Sequence, residues 1–401
     1  MADFIIGRQQ IFDQNLNVYA YELLFRGKDF DLMDKDGATM ATNQIITDSI
    51  LEMGLNNLVG PHKAFINFTT RNILEKTPLS LPCDRIVIEV LENVAIDQNL
   101  IDNLQEFSEQ GYTIALDDFV LSDEWCPLLE FANIIKLDVM ALGEAKTREA
   151  VKNLKPYNIQ LLAEKVETHE EFRYLRELGL NYFQGYFFHK PKLVAGKRLG
   201  VNQTAAIRLL TLINNPDVEF ADLTKAISQD VGLSYKLLHY INSAFFTLPS
   251  KMESIERAIS YLGLKEVKRW SNILTLAALS SKPEGALQNA LIRGKMCEEL
   301  AKLVGDKKAD HFFLIGILSS LDSILDVPLE EALQQLPLAD DIVSAILNKE
   351  GAAGEALACT LNYEQWNLQG MQFKNLEQTQ ISEAYFRSIK WATDVLNNLP
   401  Q

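Results

Sequence analysis

A series of side chains that can hold a cation or a phosphate runs through the first half of the chain, each in or just after a short β-like segment. They are Glu22 in YAYELLFR, Asn67 in KAFINF, Glu89 in RIVIEV and the pair Asp117-Asp118 in TIALDDF, followed by Lys136 in IIKLDV, Glu164 in QLLAEKV and Gln184 in NYFQGYFF. Carboxylates with one asparagine and neither cysteine nor histidine make an oxygen-rich donor set. Such a set suits Mg²⁺ or Mn²⁺ rather than zinc. Each position also has a plainer reading. Glu22 alone reads equally as a helix cap or a solvated charge. Adjacent carboxylates such as Asp117 and Asp118 repel without a cation. A lysine inside the apolar run IIKLDV needs an acidic partner, and for Lys136 an internal ion pair with Asp138 or Glu164 would supply one.

The elements that must position these residues alternate. Strand-like runs fall at 3–9, 18–25, 63–68, 85–91, 113–119, 134–139, 160–166 and 182–188, with helix-period segments such as 41–55 and 98–110 between them. That alternation predicts a (β/α)8 TIM-like barrel with its site where the strand C-termini meet the loops. Only a short turn around Asp13-Gln14-Asn15 joins the first two strands, too short for a parallel crossover. The barrel is therefore expected to be irregular, with its first strand pair antiparallel. This unit spans 1–195, and KLVAGKRLGVNQ supplies a linker at 196–202. From 203 to 401 the pattern is all-α, an α/β plus all-α chain in two domains. Helical runs fall at 203–214, 221–230, 232–245, 254–262, 264–279, 284–304, 308–325, 340–348 and 381–398, with Gly263 and Gly305 as C-terminal caps.

The 401 residues carry a net charge of −16 and a pI near 4.9. So acidic a chain is repelled by nucleic-acid polymers and anionic membranes, though bound metal ions could still let it take an anionic ligand locally. No apolar run approaches the ~20 residues of a membrane helix, and MADFIIGRQQ lacks the basic and apolar regions of a signal peptide. Cys83, Cys126, Cys297 and Cys359 form no paired motif and read as reduced thiols, so the expected location is cytoplasmic.

In order along the first domain, the motifs resemble those of EAL-domain cyclic-di-GMP phosphodiesterases. Glu22-Leu23-Leu24-Phe25-Arg26 resembles E-x-L-x-R, AFINF the strand with a metal-binding asparagine, and Glu89-Val90-Leu91-Glu92 the E-x-x-E motif. ALDDF, Ile135-Lys136-Leu137-Asp138, Ala163-Glu164-Lys165-Val166-Glu167-Thr168 and Gln184-Gly185-Tyr186 resemble DDF, IKxD, AEGVET and QGY, and Gln9-Gln10-Ile11 upstream resembles QPI. The resemblance implies hydrolysis of cyclic di-GMP to linear pGpG with two Mg²⁺ or Mn²⁺ ions. Two such ions about 3.5–4 Å apart activate water, neutralise the phosphate and steady the leaving oxygen. It implies that Asp117 bridges the ions, that Glu22, Asn67 and Glu89 complete one site, and that Asp118 serves the other with Glu164 nearby. Lys136 would stand beside the attacking water. Gln9, Leu24, Arg26 and Gln184 would meet the nucleotide, with Arg26 on a phosphate, Gln9 on a guanine edge and Gln184 in the metal–water network. Glu92 and Glu167 would anchor loops.

Two departures from the family pattern bear on turnover. The family's glycine-rich continuation of DDF is replaced by Val120-Leu121-Ser122-Asp123-Glu124-Trp125, and Lys165 replaces the glycine of AEGVE. Catalysis and cyclic-di-GMP sensing without cleavage are both open at this point, as is a scaffold that has given up the nucleotide. A homodimer is also open, because the altered loop is the one that normally links the site to dimerisation.

Residues 203–280 resemble an HDOD domain, a relative of metal-dependent HD phosphohydrolases without their catalytic His-Asp ligands. Asn242-Ser243 and Ala258…Leu262-Gly263 carry that match, and Ser319 and Ser320 stand where the HD pair would be. Serine hydroxyls do not replace imidazole and carboxylate as metal ligands. His62, His169, His189, His239 and His311 are scattered, and His311 beside Asp310 reads as helix-surface capping. The resemblance implies a regulatory module that meets a protein partner of unknown identity.

Overall fold

Short runs of Val, Ile, Leu and Phe fold into eight strands: β1 (Phe4–Asp13), β2 (Val18–Gly27), β3 (Lys63–Phe68), β4 (Ile86–Val90), β5 (Thr113–Leu116), β6 (Ile134–Asp138), β7 (Gln160–Glu164) and β8 (Tyr182–Phe183). The computed structural model describes residues 4–27, 54–92, 94–119, 125–185, 209–215, 218–229, 231–243, 252, 254–279, 284–325, 327–336 and 338–399. The strands close in sequence order into a barrel. Strand β1 is antiparallel to both its neighbours, β2 and β8, and every other pairing is parallel. The β1–β2 turn forms because Asp13 Oδ1 accepts from the backbone N–H groups of Asn15 and Asn17, each at 2.8 Å.

The interior begins with a fully apolar layer to which every strand contributes one side chain. Its members are Ile11, Ala20, Phe65, Val87, Ala115, Ile134, Leu162 and Tyr182. Burying a residue the size of Ile, Leu or Phe contributes about 1.5–3 kcal/mol. Side chains of a strand alternate between faces, so the residue two positions nearer the mouth points into the same interior. Counting two residues on from each member reaches Glu22, Asn67, Glu89, Asp117, Lys136, Glu164 and Gln184. On β1, which runs the other way, the count reaches Gln9.

Three strand ends depart furthest from the sequence pattern, and the other shifts are of one or two residues. Strand β1 continues past residue 9 to Asp13 because its ladder with β2 runs on through Phe12 and it gains β8 as a second neighbour at Phe12 and Asp13. Strand β5 stops at Leu116, since Asp118 takes a left-handed backbone with φ 42° and turns the chain out of the ladder. Strand β8 shortens to two residues. Most of the expected 41–55 helix, the 196–202 linker and the 120–124 stretch lie outside the described residues, as do 203–208 at the start of the first helical run.

The chain divides into two units, Met1–Phe188 and His189–Gln401. Among its described residues the second unit is entirely helical. Trp270 is buried there against Tyr240 and Trp391, with ring centroids 4.3 and 6.0 Å away. Asn242 donates to the carbonyls of Leu238 and Met252 and accepts from the Met252 N–H, so one amide ties Met252 to the end of the helix that carries Leu238. The expected 308–325 helix is two helices, Ala309–Leu318 and Leu321–Leu325. The break has a cause: the buried Arg293 guanidinium donates to the Ser319 carbonyl and to the Ser319 and Ser320 hydroxyls, at 3.2, 3.2 and 3.0 Å. The helices Leu329–Gln334 and Gly351–Glu364 add to the expected set. The second is apolar on several sides and so lacks the one-sided stripe that marks a surface helix.

Helices Glu284–Leu303 and Ala309–Leu318 cross at two glycines. A Cβ on Gly316 would lie 2.7 Å from both the Arg293 carbonyl oxygen and the Gly294 Cα. Backbone atoms cannot rotate aside, so Gly316→Ala should lower the unfolding free energy by about 3 kcal/mol, read as a lower urea midpoint of the full chain.

Candidate active site at the barrel mouth

Lys136 is the centre of the polar layer. It lies on β6, where the register leaves no route to solvent, and only 1% of its surface is exposed. Its Nζ contacts Glu89 Oε1 closely and reaches Glu164 Oε1 at 2.8 Å, Asp117 Oδ1 at 3.0 Å and Glu22 Oε2 at 3.6 Å. The internal ion pair with Glu164 anticipated from the sequence is therefore one of four contacts. Asp138, the other anticipated partner, is used elsewhere. Its Oδ1 caps the following helix by accepting from the Ala141 N–H at 2.9 Å, and its Oδ2 binds Lys165.

Backbone geometry holds the acids in place. Glu89 is fully buried on β4, opposite Asn67 of β3 and Ala115 of β5. The Asp117 N–H donates to the Val90 carbonyl at 3.0 Å, and Phe119 is buried edge-on against Trp125. That anchor leaves Asp117 partly buried and Asp118 exposed at the rim. Gln184 Nε2 donates to Glu22 Oε2 and to Gln9 Oε1, both at 2.7 Å, tying β8 to β1 and β2. Gly185 follows because a Cβ there would collide with the Val166 backbone, whose N–H donates to the Gln184 carbonyl at 3.1 Å.

The layer is overcharged. Glu22, Glu89, Asp117 and Glu164 surround the Lys136 ammonium and Asp118 stands beside Asp117 and Glu164 at the rim; these five acids and one ammonium leave four negative charges when all are ionised, the charge two divalent cations would neutralise. Without such cations three of these acids, Glu89, Glu164 and Asp118, hold their protons more tightly. Burial and the Glu22 charge push Glu89 well above the usual carboxylate range, against the pull of Lys136. Burial pushes Glu164 up to about 7, with Asp117 and Glu22 adding to it. Burial and Asp117 raise Asp118. For Lys136, burial would lower the ammonium, but the carboxylates outweigh it and hold it protonated. Two buried acceptors, Glu89 Oε2 and Gln184 Oε1, take no hydrogen bond from protein. Asp117, Asp118 and Glu164 each offer an oxygen, all within 4.8 Å of one another, the only such acid, histidine or cysteine group among the described residues. The donor set, its charge and its unsatisfied oxygens fit divalent cations.

The remaining expected site residues lie around this layer. Leu24 is half-buried one step nearer the rim on β2. Arg26 belongs to the same strand, but its side chain lies outside the described residues. Glu92 and Glu167, expected to anchor loops, are exposed just beyond β4 and β7. Lys165, which replaces a glycine of the family pattern, bonds Asp138 at this rim. In the helical unit, the position expected to lack metal ligands holds the buried Arg293–Glu364 pair at 2.8 Å. His311 stands 3.8 Å from Asp341 at the helix surface. No helix among the described residues is long and apolar enough to cross a membrane.

Comparison with known proteins bears on both units. The EAL domain family matches residues 51–191, and the HDOD domain family matches residues 200–339. The cyclic di-GMP phosphodiesterase CdgJ of Vibrio cholerae is 32% identical over 399 residues, covering 97% of this chain and 92% of its own length. The uncharacterized protein YuxH of Bacillus subtilis is 30% identical over 403 residues, covering 98% of each. Among solved structures, a standalone EAL protein of Vibrio cholerae O395 in its c-di-GMP-bound form is 26% identical, covering 46% of this chain and 90% of its own, with a TM-score of 0.37.

Two outcomes test the charge balance. Lys136→Met leaves its acids without their counter-ion, so the metal-free variant should lose about 3–5 kcal/mol of stability by urea unfolding, and saturating Mn²⁺ should restore part of it. The second concerns pH. In the fold Glu164 holds a proton up to about 7, whereas the unfolded chain releases it near 4.5. Its contribution to stability is thus complete below 4.5 and is lost as pH rises through 7. In EDTA, the stability of wild type relative to Glu164→Gln should fall across that window, and saturating Mn²⁺ should abolish the fall.

Proposed function

The chain belongs to the family of proteins that join an EAL domain to an HDOD domain, and on that premise we propose that its barrel hydrolyses cyclic di-GMP to linear pGpG with two Mg²⁺ or Mn²⁺ ions. The observation that carries this reading is the overcharged ring around Lys136, in which four carboxylates meet one ammonium and a fifth, Asp118, stands at the rim beside them. Glu22, Asn67, Glu89 and Asp117 would hold one ion, and Asp117 with Asp118, beside Glu164, the other. When bound, the ions would supply charge neutralisation at the phosphate and an activated water.

The chain's own residues do the rest. The Lys136 ammonium is fixed from several sides, so it can stabilise developing negative charge without reorganising during the reaction. Gln184 Nε2 holds Glu22 Oε2 and Gln9 Oε1 together, linking a first-site acid to the side chain proposed for the guanine edge. Leu24, one step nearer the rim, offers apolar contact to a base, and Arg26 a charge for a phosphate. Glu164 keeps one oxygen on Lys136 and, with Asp117 and Asp118, faces the second site. Glu92 and Glu167 would anchor the loops above.

The helical unit would serve as the output module toward a protein partner. An Arg293–Glu364 ion pair and two serines occupy the interior position where a metal-dependent relative would carry ligands. A guanidinium there repels a divalent cation, which argues for binding rather than catalysis in this half.

Purified full-length protein with Mn²⁺ should convert cyclic di-GMP to linear pGpG, resolved by chromatography. Glu22→Ala should bring the rate below detection while the protein stays folded by circular dichroism. Binding seen by calorimetry with no product over hours would select a sensor in place of an enzyme, and no binding at all would remove both.

A further inference from the structure

We propose that Lys165 is a tethered counter-ion that holds down the affinity of the second divalent cation, so that the barrel fills its two metal positions unequally. The inference rests on the metal-site reading above and deepens it.

Three observations place the charge. Lys165 follows β7 directly after Glu164 with a left-handed backbone, φ 57°, a region that L residues with a Cβ rarely adopt. The turn carries the side chain across to β6, where its ammonium bonds Asp138 Oδ2. Asp138 and Glu164 are themselves paired across the β6–β7 ladder, so the ammonium lies beside the acids at the ends of both strands.

The consequence for Asp138 is direct. One of its oxygens accepts from the Ala141 N–H and the other from Lys165, so both are spoken for. A carboxylate that would add to the rim charge is thereby neutralised and kept out of the ligand set. Lys165 also acts on the acids that face the second position. Its charge opposes the burial and the Asp117 repulsion that raise Asp118, and the Asp138 hydrogen bond, with Asp118 and Glu164 adding to it, keeps the lysine protonated. Asp117, Asp118 and Glu164 form the group whose oxygens converge at the rim. A divalent ion entering there meets a fixed positive charge. An ion held by Glu22, Asn67, Glu89 and Asp117 would lie among the buried acids of β2 and β4 rather than at the end of β7, and would feel it less. The Lys165 side chain is 56% exposed, so solvent moderates the repulsion and leaves the second ion weak rather than excluded.

Mn²⁺ titration of metal-free full-length protein, followed by the electron paramagnetic resonance signal of free Mn²⁺, tests this without turnover. Wild type should show a tight and a weak class of site. Lys165→Met keeps the Cβ and the chain length, so the backbone cost is unchanged, and it should tighten the weak class about tenfold while leaving the tight class within about twofold. Lys165→Arg should behave as wild type. Asp138→Asn keeps a helix-capping side chain but frees the ammonium, and it should loosen the weak class further. A purely structural lysine would not give opposite shifts in the two neutralising variants. Two equal classes in wild type, or a weak class unmoved by Lys165→Met, would overturn the proposal and leave the metal site standing. A raised KM for cyclic di-GMP with unchanged Mn²⁺ binding would also overturn it, making Lys165 a phosphate contact. No Mn²⁺ uptake by wild type would remove the metal-site reading itself.

Discussion

One buried ammonium among several carboxylates governs this barrel. Lys136 cannot leave the interior, and its neighbours Glu22, Glu89, Asp117 and Glu164 come from β2, β4, the end of β5 and β7. Taking an ion out of water costs several kcal/mol, and mutual attraction offsets it only when charges and hydrogen bonds balance. Here they do not balance within the protein. Glu89 and Glu164 hold protons far above the usual range, and Glu89 Oε2 is buried with no donor. A ring built for stability alone would carry fewer acids. The excess charge is explained by positive ions from outside the chain.

The barrel makes such a ring cheap to position. Each strand contributes one apolar side chain to the layer around Phe65 and Val87, and strand alternation then delivers a polar residue from each strand one layer above. The precision needed for a metal site is thus borrowed from the apolar layer, whose close packing tolerates little displacement. Register does the same between strands: Asn67 faces Glu89 across β3–β4, and Gln9 faces Glu22 across β1–β2. The antiparallel β1 matters for this reason. Its reversed direction lets a residue preceding Ile11, rather than one following it, reach the mouth, where Gln184 binds both Gln9 and Glu22.

Much of this was legible in the sequence because it depends on local pattern. Apolar runs ending in a polar residue mark the strands and the residues of the layer, and the short turn after Asp13 marks the antiparallel pair. What was not legible depends on backbone angles or on distant pairs. The sequence reading treated Lys165 as a departure from a glycine. Its bond to Asp138, 27 residues away, follows from a φ of 57° that no residue type announces. Asp138 was a candidate partner for Lys136, yet it follows Lys136 by two on β6 and so lies one layer nearer the rim. The break at Ser319-Ser320 was missed because its cause, Arg293, lies 26 residues upstream on another helix. The Gly351–Glu364 helix was missed because small residues on several sides hide its period.

The two halves answer the same electrostatic problem in opposite ways. In the helical unit the interior acid Glu364 is met in full by Arg293, bidentate at 3.1 and 2.8 Å, and the remaining guanidinium donors go to Ser319 and Ser320. That site is closed: its charges are internal, and its stability owes nothing to a diffusible ion. The barrel's site is open in the same sense, because its acids outnumber the ammonium they surround. Whatever binds the folded barrel and not the unfolded chain adds to its stability in proportion to the logarithm of its concentration. Divalent ions of the proposed kind would therefore act on the barrel twice, once by completing the chemistry and once by relieving the repulsion among Glu22, Glu89, Asp117 and Glu164. An anionic nucleotide should gain affinity from the same relief, since the uncompensated ring would repel it. With the cations of the proposed sites bound, the same acids that would repel a phosphate would instead position positive charge to receive it.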